Sequence, residues 1–396
     1  MSKLDELLQG VKVEWLPLKE IAELQRGKTI TAKNKTEGNI PVISGGQKPA
    51  YYNGEFNRTD ETITIAGSGA YAGYISYWNE PIFVSDAFSI KPDLSILNIK
   101  YAYYFLLTKQ EWIYSLKKGA GIPHVYPKDL EKLQIPIPCP DNPEKSLEIQ
   151  QEIVRVLDEL TTLTNQLTTE LETERQNRKK QFEFFREQLF RFEEGNIEFK
   201  TLGDITKLIT KGTTPKIFSS NGINFIKIES FNKNKIIPNK FMFISKEIHE
   251  KELKRSILKS EDILFAIAGA TIGKCAIVSE DILPANTNQA LAIIRLNENI
   301  NVKYIFNFLQ SLEMKKYIEK FNKTSAQPNL NLKQISDFKI PIPSLEEQER
   351  IVKLLDQFDA THTAIEEEIT KEIKLRTQQY EYYREKLLSF PSLRTT

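Results

Sequence analysis

The amino-acid sequence predicts an α+β fold built twice: two tandem domains of mixed helix and strand, each followed by a long charged helix. Three observations predict it. Segments recur in the same order in both halves, a proline-spaced strand hands over abruptly to a helix at two places, and after each of those places apolar residues recur every three or four positions.

The repeat shows in four pairs of segments. "LKEIAEL" (18–24) matches "LGDITKL" (202–208), and "IAGSGAYAG" (65–73) matches "IAGATIGKC" (267–275). "IPHVYPKDLEKLQIPIP" (122–138) matches "QPNLNLKQISDFKIPIP" (327–343), and "FFREQL" (184–189) matches "YYREKL" (382–387). The offsets between copies are 184, 202, 205 and 198, so the domain interiors drift. The helices do not: Ile153 to Leu189 spans 36 residues, and so does Ile351 to Leu387.

Within the first copy, "TITIAGSGAYAGYISYW" alternates short β-branched and aromatic runs with glycines, which predicts strands and tight turns. "YAYYFLLTKQEWIYSLKK" predicts one helix followed by a proline-marked turn, and its tyrosines Tyr101, Tyr103 and Tyr104, like Tyr51 and Tyr52, suit packing better than base stacking. "DILFAIAGATIGKCAIVSE" and "VKYIFNFLQSLEMKKYIEKF" repeat both patterns in the second copy. Each "IPIP" closes its domain as a strand whose prolines lack the N–H that further sheet pairing needs. Ser344 then stands as N-cap with Glu347 in capping-box register. At the first joint Ser146 takes the matching place, but Ile149 replaces the glutamate, and seven extra residues precede it.

The long helices carry a narrow apolar stripe: Ile153, Leu157, Leu160, Leu167, Leu171 and Phe185 in the first, and Ile351, Leu355, Phe358, Ile365, Ile369 and Tyr383 in the second. A stripe sustained over about five heptads predicts a coiled-coil seam. At about 1.5 Å per residue each helix is roughly 54 Å long. The resulting organisation is a first domain at 1–145, a central helix at 146–192, a second domain at 193–343, a C-terminal helix at 344–390 that pairs with the central one, and a tail at 391–396.

Apolar residues make up 40% and charged residues 27% of the 396, the balance of a globular chain. The first ten residues lack a signal-peptide core and no window approaches a membrane span, which predicts a cytoplasmic protein with no membrane association. The two cysteines, Cys139 and Cys275, lie in different halves and read as reduced thiols. The net charge of +1 conceals a pattern: residues 11–135 carry +2 and residues 201–335 carry +8, while 136–200 carry −5 and 336–396 carry −3. Basic domains on acidic connectors point the domains toward a polyanion.

Catalytic constellations are missing. "GATIGKC" (269–275) looks like a phosphate loop but has three residues between its glycines and Cys275 where magnesium would need Ser or Thr. "SGGQK" and "GSGAYAG" lack dinucleotide-loop spacing, and His124, His249 and His362 stand apart from any metal-ligand pattern. No catalysis by this chain is expected, and no cofactor or metal in it.

Taken together, the duplicated "IPIP" strands, the helix openings like "EEQERIVKLLD" and the closings like "YYREKLLSF" resemble the DNA specificity subunits of type I restriction-modification systems, over essentially the whole chain. The resemblance implies two tandem target-recognition domains and two helices paired antiparallel about a pseudo-twofold axis. It implies double-stranded DNA as ligand, each domain reading one half of an interrupted, asymmetric sequence. It further implies two methyltransferase subunits docked on this chain, restriction subunits joining for cleavage, and S-adenosylmethionine, ATP and Mg serving those partners. Two readers on one side of a duplex sit about one turn apart, roughly 34 to 36 Å, and helices of matched length would set that spacing.

Phosphate contacts need Lys, Arg or backbone amides, and base edges need polar side chains held on loops. In the first domain the candidates are Arg26, Lys28, Thr29, Ser44, Gln47, Lys48, Ser68, Tyr71, Lys117, Lys118 and His124. In the second they are Lys211, Thr213, Thr214, Lys216, Lys227, Glu229, Asn286, Thr287, Asn288, Gln289, Gln327 and Asn329. The competing reading is a coiled-coil scaffold that binds proteins and no nucleic acid; the +8 of the second domain and a steep salt dependence would separate the two.

Overall fold

A computed structural model describes residues 3–30, 35–192, 197–232, 234–322 and 329–390. The chain divides into two compact units, residues 1–172 with 369–396, and residues 173–368.

The first domain runs α1 (Lys3–Leu8), β1 (Val13–Pro17), α2 (Leu18–Ile21), β2 (Ala22–Arg26), β3 (Ile40–Ile43), β4 (Tyr51–Asn53), β5 (Thr62–Ala66), β6 (Ile75–Trp78), β7 (Phe83–Val84), β8 (Ala87–Pro92), α3 (Ile99–Thr108), α4 (Gln110–Ser115), α5 (Pro127–Leu130) and β9 (Gln134–Pro138). Its strands form sheets of order β2-β8-β5-β6, β4-β3-β7 and β1-β9, antiparallel except for β3 with β7. β5 is buried at every position, its threonines included, because Thr62 donates to the Asp60 carbonyl at 2.7 Å and Thr64 accepts Trp78 Nε1 at 2.9 Å. Ile63, Ile65, Phe88 and Ile90 face Tyr101, Phe105 and Ile113 of the helices in one core.

The long helix α6 (Pro143–Leu189) follows, and then the second domain repeats the plan: β10 (Glu198–Thr201), β11 (Thr206–Lys211), β12 (Ile223–Ile226), β13 (Phe231–Asn232), β14 (Lys235–Ile236), β15 (Met242–Ile244), β16 (Ile263–Ala266), β17 (Cys275–Ile277), β18 (Ala285–Thr287), β19 (Leu291–Leu296), α7 (Val302–Phe308), α8 (Leu312–Asn322), α9 (Leu332–Ser336) and β20 (Lys339–Ile342). Its sheets are β11-β19-β16-β17, β15-β12-β18 and β10-β20, with β12 and β18 parallel, and an added β13-β14 hairpin. The final helix is α10 (Leu345–Leu388).

Three expectations are corrected. Each stretch assigned to one helix is two: α3 and α4 part at Lys109, whose φ of −104° and ψ of 8° leave the helix, and α7 and α8 part at residues 309–311. Ser146 does not cap α6. The helix starts at Pro143, the Asn142 carboxamide accepts the Lys145 N–H at 3.1 Å, and the Ser146 hydroxyl instead accepts Gln150 Nε2 at 3.1 Å inside the helix. Three of the seven extra residues are therefore helical. Ser344 does cap α10, taking the Glu347 N–H at 3.3 Å, while the Glu347 carboxylate pairs with Arg350.

The caps differ, but the strand side of the joint is the same in both copies. Each "IPIP" strand has one partner strand, β1 or β10, and its other side meets a tyrosine: Tyr101 Oη donates to the Pro136 carbonyl at 2.8 Å, and Tyr304 Oη to the Pro341 carbonyl at 2.8 Å. The N-terminal parts of the long helices are buried in the domain cores, Ile153 and Leu157 in one, Ile351 and Leu355 in the other. Those cores also take in Leu388 from the end of α10 and Phe190 beyond the end of α6. Within the first unit the Thr161 hydroxyl donates to Tyr380 Oη at 3.0 Å; within the second, Phe185 stacks on Phe358 at 5.8 Å and Phe182 lies 5.2 Å from His362. Those pairs run in opposite chain directions, so α6 and α10 are antiparallel in each unit. Ile369 is buried, while Leu160, Leu167, Leu171 and Ile365 are half-buried, and Phe185, Phe358 and Tyr383 keep an exposed edge, as positions on a two-helix seam do.

Candidate nucleic-acid interface

Strand direction decides which loops share an end of each domain. In the first, β2 and β5 finish where β8 and β6 begin, so the segments after Arg26, before Ala87 and between Ala66 and Ile75 lie together. The β3–β4 turn joins them because Ser85 N–H donates to the Ile43 carbonyl at 2.8 Å.

Nearly all first-domain candidates gather there. Gly27 is obligatory: a Cβ would lie 2.1 Å from the Ser85 carbonyl oxygen, so only glycine lets the chain after Arg26 pass the strand junction. The passage exposes Lys28 and Thr29. Ser44, Gln47 and Lys48 form the adjoining turn. Ser68 hydrogen-bonds the Asp86 carboxylate and pairs with His124 through the backbone, and His124 in turn exchanges two backbone hydrogen bonds with Lys118 at 2.9 and 2.8 Å. Tyr71 is 47% exposed beside them. Lys117 and Lys118 are engaged internally, the first with the Ala70 carbonyl at 3.0 Å and the second with Asp129, and they hold the loops in shape. Lys28 and Lys48 have no ion pair among the described residues.

The second domain has the same frame with other side chains. A Cβ at Gly212 would lie 2.1 Å from the Thr287 carbonyl oxygen, and Thr213 N–H donates to that oxygen at 3.0 Å. Lys211 is exposed at the end of β11, Thr213, Thr214 and Lys216 are exposed past this crossing, and Thr214 bonds Gln289. Lys227 lies over the Phe218 ring at 5.3 Å, Glu229 is exposed, and the Asn288 side chain accepts the Ala290 N–H at 3.2 Å. Asn329 pairs with Ala268 where His124 pairs with Ser68. Gln327 lies outside the described residues.

Two candidates are corrected. Asn286 is fully buried: its Nδ2 donates to the Leu253 carbonyl at 3.0 Å and to Ser256 Oγ at 3.3 Å, and its Oδ1 meets His249 Nδ1. Thr287 is fully buried with its hydroxyl on the Ile226 carbonyl at 2.8 Å. Both are interior residues of β18, and burial with satisfied polar atoms leaves neither a surface to present.

The structure adds residues that the sequence reading missed. Tyr126 stacks on His124 at 5.8 Å and lies 6.0 Å from the Arg26 guanidinium, making an exposed aromatic and cationic patch. Its spacing of two from His124 in an extended stretch is the signal that would have found it. Arg58 Nη2 donates to the Arg26 carbonyl at 3.4 Å, and Arg255 Nη2 to the Thr213 hydroxyl at 3.3 Å; both come from distant segments that nothing local marks.

What remains is two like platforms of backbone, each offering cations, hydroxyls and amides on loops braced from behind, the combination that phosphate and base-edge contacts need. Among the described residues no helix is long and apolar enough to cross a membrane.

The family described as "Type I restriction modification DNA specificity domain" matches twice, at residues 11–174 and 194–375. The type I restriction enzyme EcoR124I/EcoR124II specificity subunit of Escherichia coli is 34% identical over 424 residues, covering 100% of this chain and 98% of the relative. A putative type I restriction enzyme specificity subunit of Haemophilus influenzae is 33% identical with 98% of each chain covered. Two solved structures share the fold. One, from work on complex assembly and conformational transition of the type I R-M system, has a TM-score of 0.73 at 17% identity over 95% of this chain and 97% of that one. The HsdS subunit from Thermoanaerobacter tengcongensis has a TM-score of 0.53 at 16% identity, with 95% and 96% covered. Matched along its whole length and carrying the specificity domain twice, this chain belongs to the family of type I restriction-modification specificity subunits.

Proposed function

We propose that this chain reads DNA for a type I restriction-modification complex, each domain recognising one half of an interrupted and asymmetric target. One observation carries the reading. The same backbone pairing holds Ser68 against His124 in one domain and Ala268 against Asn329 in the other. An equal frame with unequal side chains makes two readers of different half-sites, so the target is not palindromic.

In this reading α6 and α10 set the spacing between half-sites and dock two methyltransferase subunits, with restriction subunits joining the full complex in the cytoplasm. S-adenosylmethionine, ATP and Mg belong to those partners; this chain contributes position and sequence discrimination only.

Co-expression with the cognate methyltransferase subunit tests it. The expected result is methylated adenine in one interrupted motif throughout the genome. An assembled complex that leaves no such motif overturns the reading. Matched four-residue deletions in α6 and α10 are expected to change the spacer of that motif, and an unchanged spacer rejects the role of the helices in setting it.

A further inference from the structure

The end of α6 carries Arg186 into the second unit, where it lines a cavity of about 260 Å³ together with Lys274, Lys315, Asn234 and Gln310. Among the described residues no carboxylate lines that cavity. The Arg186 side chain is 14% exposed, and its Nε is buried with no acceptor. Its Nη2 reaches Glu187 at 3.3 Å, but the same Glu187 oxygen also accepts the Leu312 N–H at 3.0 Å. Lys274 and Lys315 are exposed and form no ion pair among the described residues. Of these three cations only Arg186 meets a carboxylate among the described residues, and its buried Nε is left open.

The other copy shows that the scaffold does not require this. Arg384 occupies the corresponding turn of α10, also with a buried Nε lacking an acceptor, but its guanidinium is covered by the Tyr380 ring at 5.3 Å. The structure corrects the register of this turn from an offset of 202 to one of 200: Gly73 N–H donates to the Ala66 carbonyl at 2.8 Å as Gly273 N–H does to the Ala266 carbonyl at 2.9 Å, so Tyr74 stands where Lys274 does. Gly73 packs on Ile113 as Gly273 packs on Ile318, which aligns Gln110 with Lys315. Gln110 closes that corner by donating to the Gly73 carbonyl at 2.8 Å and accepting the Ile75 N–H at 3.2 Å. One corner is sealed by an aromatic ring and an amide. Its twin is open and cationic.

We propose that the Arg186–Lys274–Lys315 cavity binds a phosphate group. A buried donor without a partner is costly, and a tetrahedral oxyanion supplies acceptors to it and to both ammonium groups at once. The backbone of the "GATIGK" turn takes no part, because the Gly273 and Lys274 N–H groups are spent on the Ala266 and Thr271 carbonyls at 2.9 and 3.1 Å. The phosphate comes from the DNA backbone beside the reading loops or from a free nucleotide; the first source rests on the DNA-reading role proposed above.

The test compares the complex of the full chain with its methyltransferase subunit, wild type against Lys274→Gln/Lys315→Gln, a pair of exposed side chains whose loss spares the fold. With a DNA phosphate in the cavity, the variant binds cognate and scrambled duplexes more weakly by the same factor. The slope of log K against log salt then becomes shallower by about 1. With a nucleotide phosphate, ATP titrated onto the DNA-free complex binds the wild type and not the variant, and the salt slope is unchanged. An unchanged slope together with equal or absent ATP binding overturns the site. Failure of the wild type to prefer cognate over scrambled DNA would instead reject the DNA-reading role, and the ATP comparison would still judge the cavity.

Discussion

Gln150 accepts the Asn98 backbone N–H on its side-chain oxygen at 2.8 Å, and Gln348 does the same for Asn301 at 3.0 Å. Both glutamines are buried near the N-terminal ends of the long helices, and both asparagines cap the helix that packs on the domain sheet. One amide therefore locks a long helix to its domain in each copy. Lys100–Asp158 and Lys303–Asp356 add a more exposed ion pair at the same joints, each at 2.7 Å. Gln150→Ala or Gln348→Ala empties a buried amide site and leaves a partly buried N–H unpaired, and is expected to cost about 1–3 kcal/mol. Chemical denaturation measures it, and a change within about 0.5 kcal/mol would show that the joint does not depend on the amide.

Arg295 clasps Asp262 with two hydrogen bonds of 2.7 Å, and Asp262 is fully buried. Arg295→Ala leaves that carboxylate without its counter-ion and is expected to destabilise by about 3–5 kcal/mol. The first domain has Thr62 and Lys91 at the corresponding places. Adding Asp262→Thr to the arginine variant should recover part of the loss, because the unpaired charge goes with it. A double variant less stable than the single one would contradict this account.

Interior and surface candidates of the second domain should separate by assay. Asn286→Ala opens the buried network with His249 and Ser256 and is expected to lower stability by about 1–3 kcal/mol. Lys211→Ala and Lys216→Ala should leave stability within about 0.5 kcal/mol. Each should instead reduce the salt slope of DNA binding by about 1. Lysine variants that lose stability while keeping that slope would place them in the framework.

The pair between Arg350 and Glu347 holds the Glu347 carboxyl below its usual range in the first turn of α10. A carboxylate whose pKa is lower in the folded state stabilises above its unfolded pKa, near 4.5, and that contribution is lost as pH falls through the folded value. On an exposed pair it amounts to under about 1 kcal/mol. The stability difference between wild type and Glu347→Gln should be constant from pH 7 to pH 5.5 and shrink toward pH 3. A difference that grows on acidification has the wrong sign.

Much of the chain could be read from local pattern. Proline in "IPIP", the three-and-four spacing after Ile153 and Ile351, and Ser344 as N-cap are signals within one turn or one strand, and each stands in the structure as the sequence predicts, whereas the Glu347 carboxylate turns to Arg350 instead of completing a capping box. The break between α3 and α4 could not be read. The polar residues 108–111 carry no proline or glycine to mark a break, and the helix parts next to Gln110, which bonds Gly73 and Ile75 from another element. The start of α6 was misread because Asn142 and Ser146 are both good caps, and only packing chose between them.

The sequence by itself determined that the chain is duplicated, that each copy ends in a strand handing over to a long helix, and that the second domain is the more basic. Periodicity, proline and charge are properties of neighbouring residues, so no fold is needed to see them. Tertiary structure alone decided which polar residues of "ANTNQA" are interior and which of the cations around α6 stand near one another. Asn286 reads as a loop residue until β18 is placed between β12 and the segment at Leu253. Arg186 and Lys274 are far apart in sequence and share a cavity only because the end of α6 packs beside α8. Burial and charge clustering depend on contacts between distant segments, which local pattern does not record.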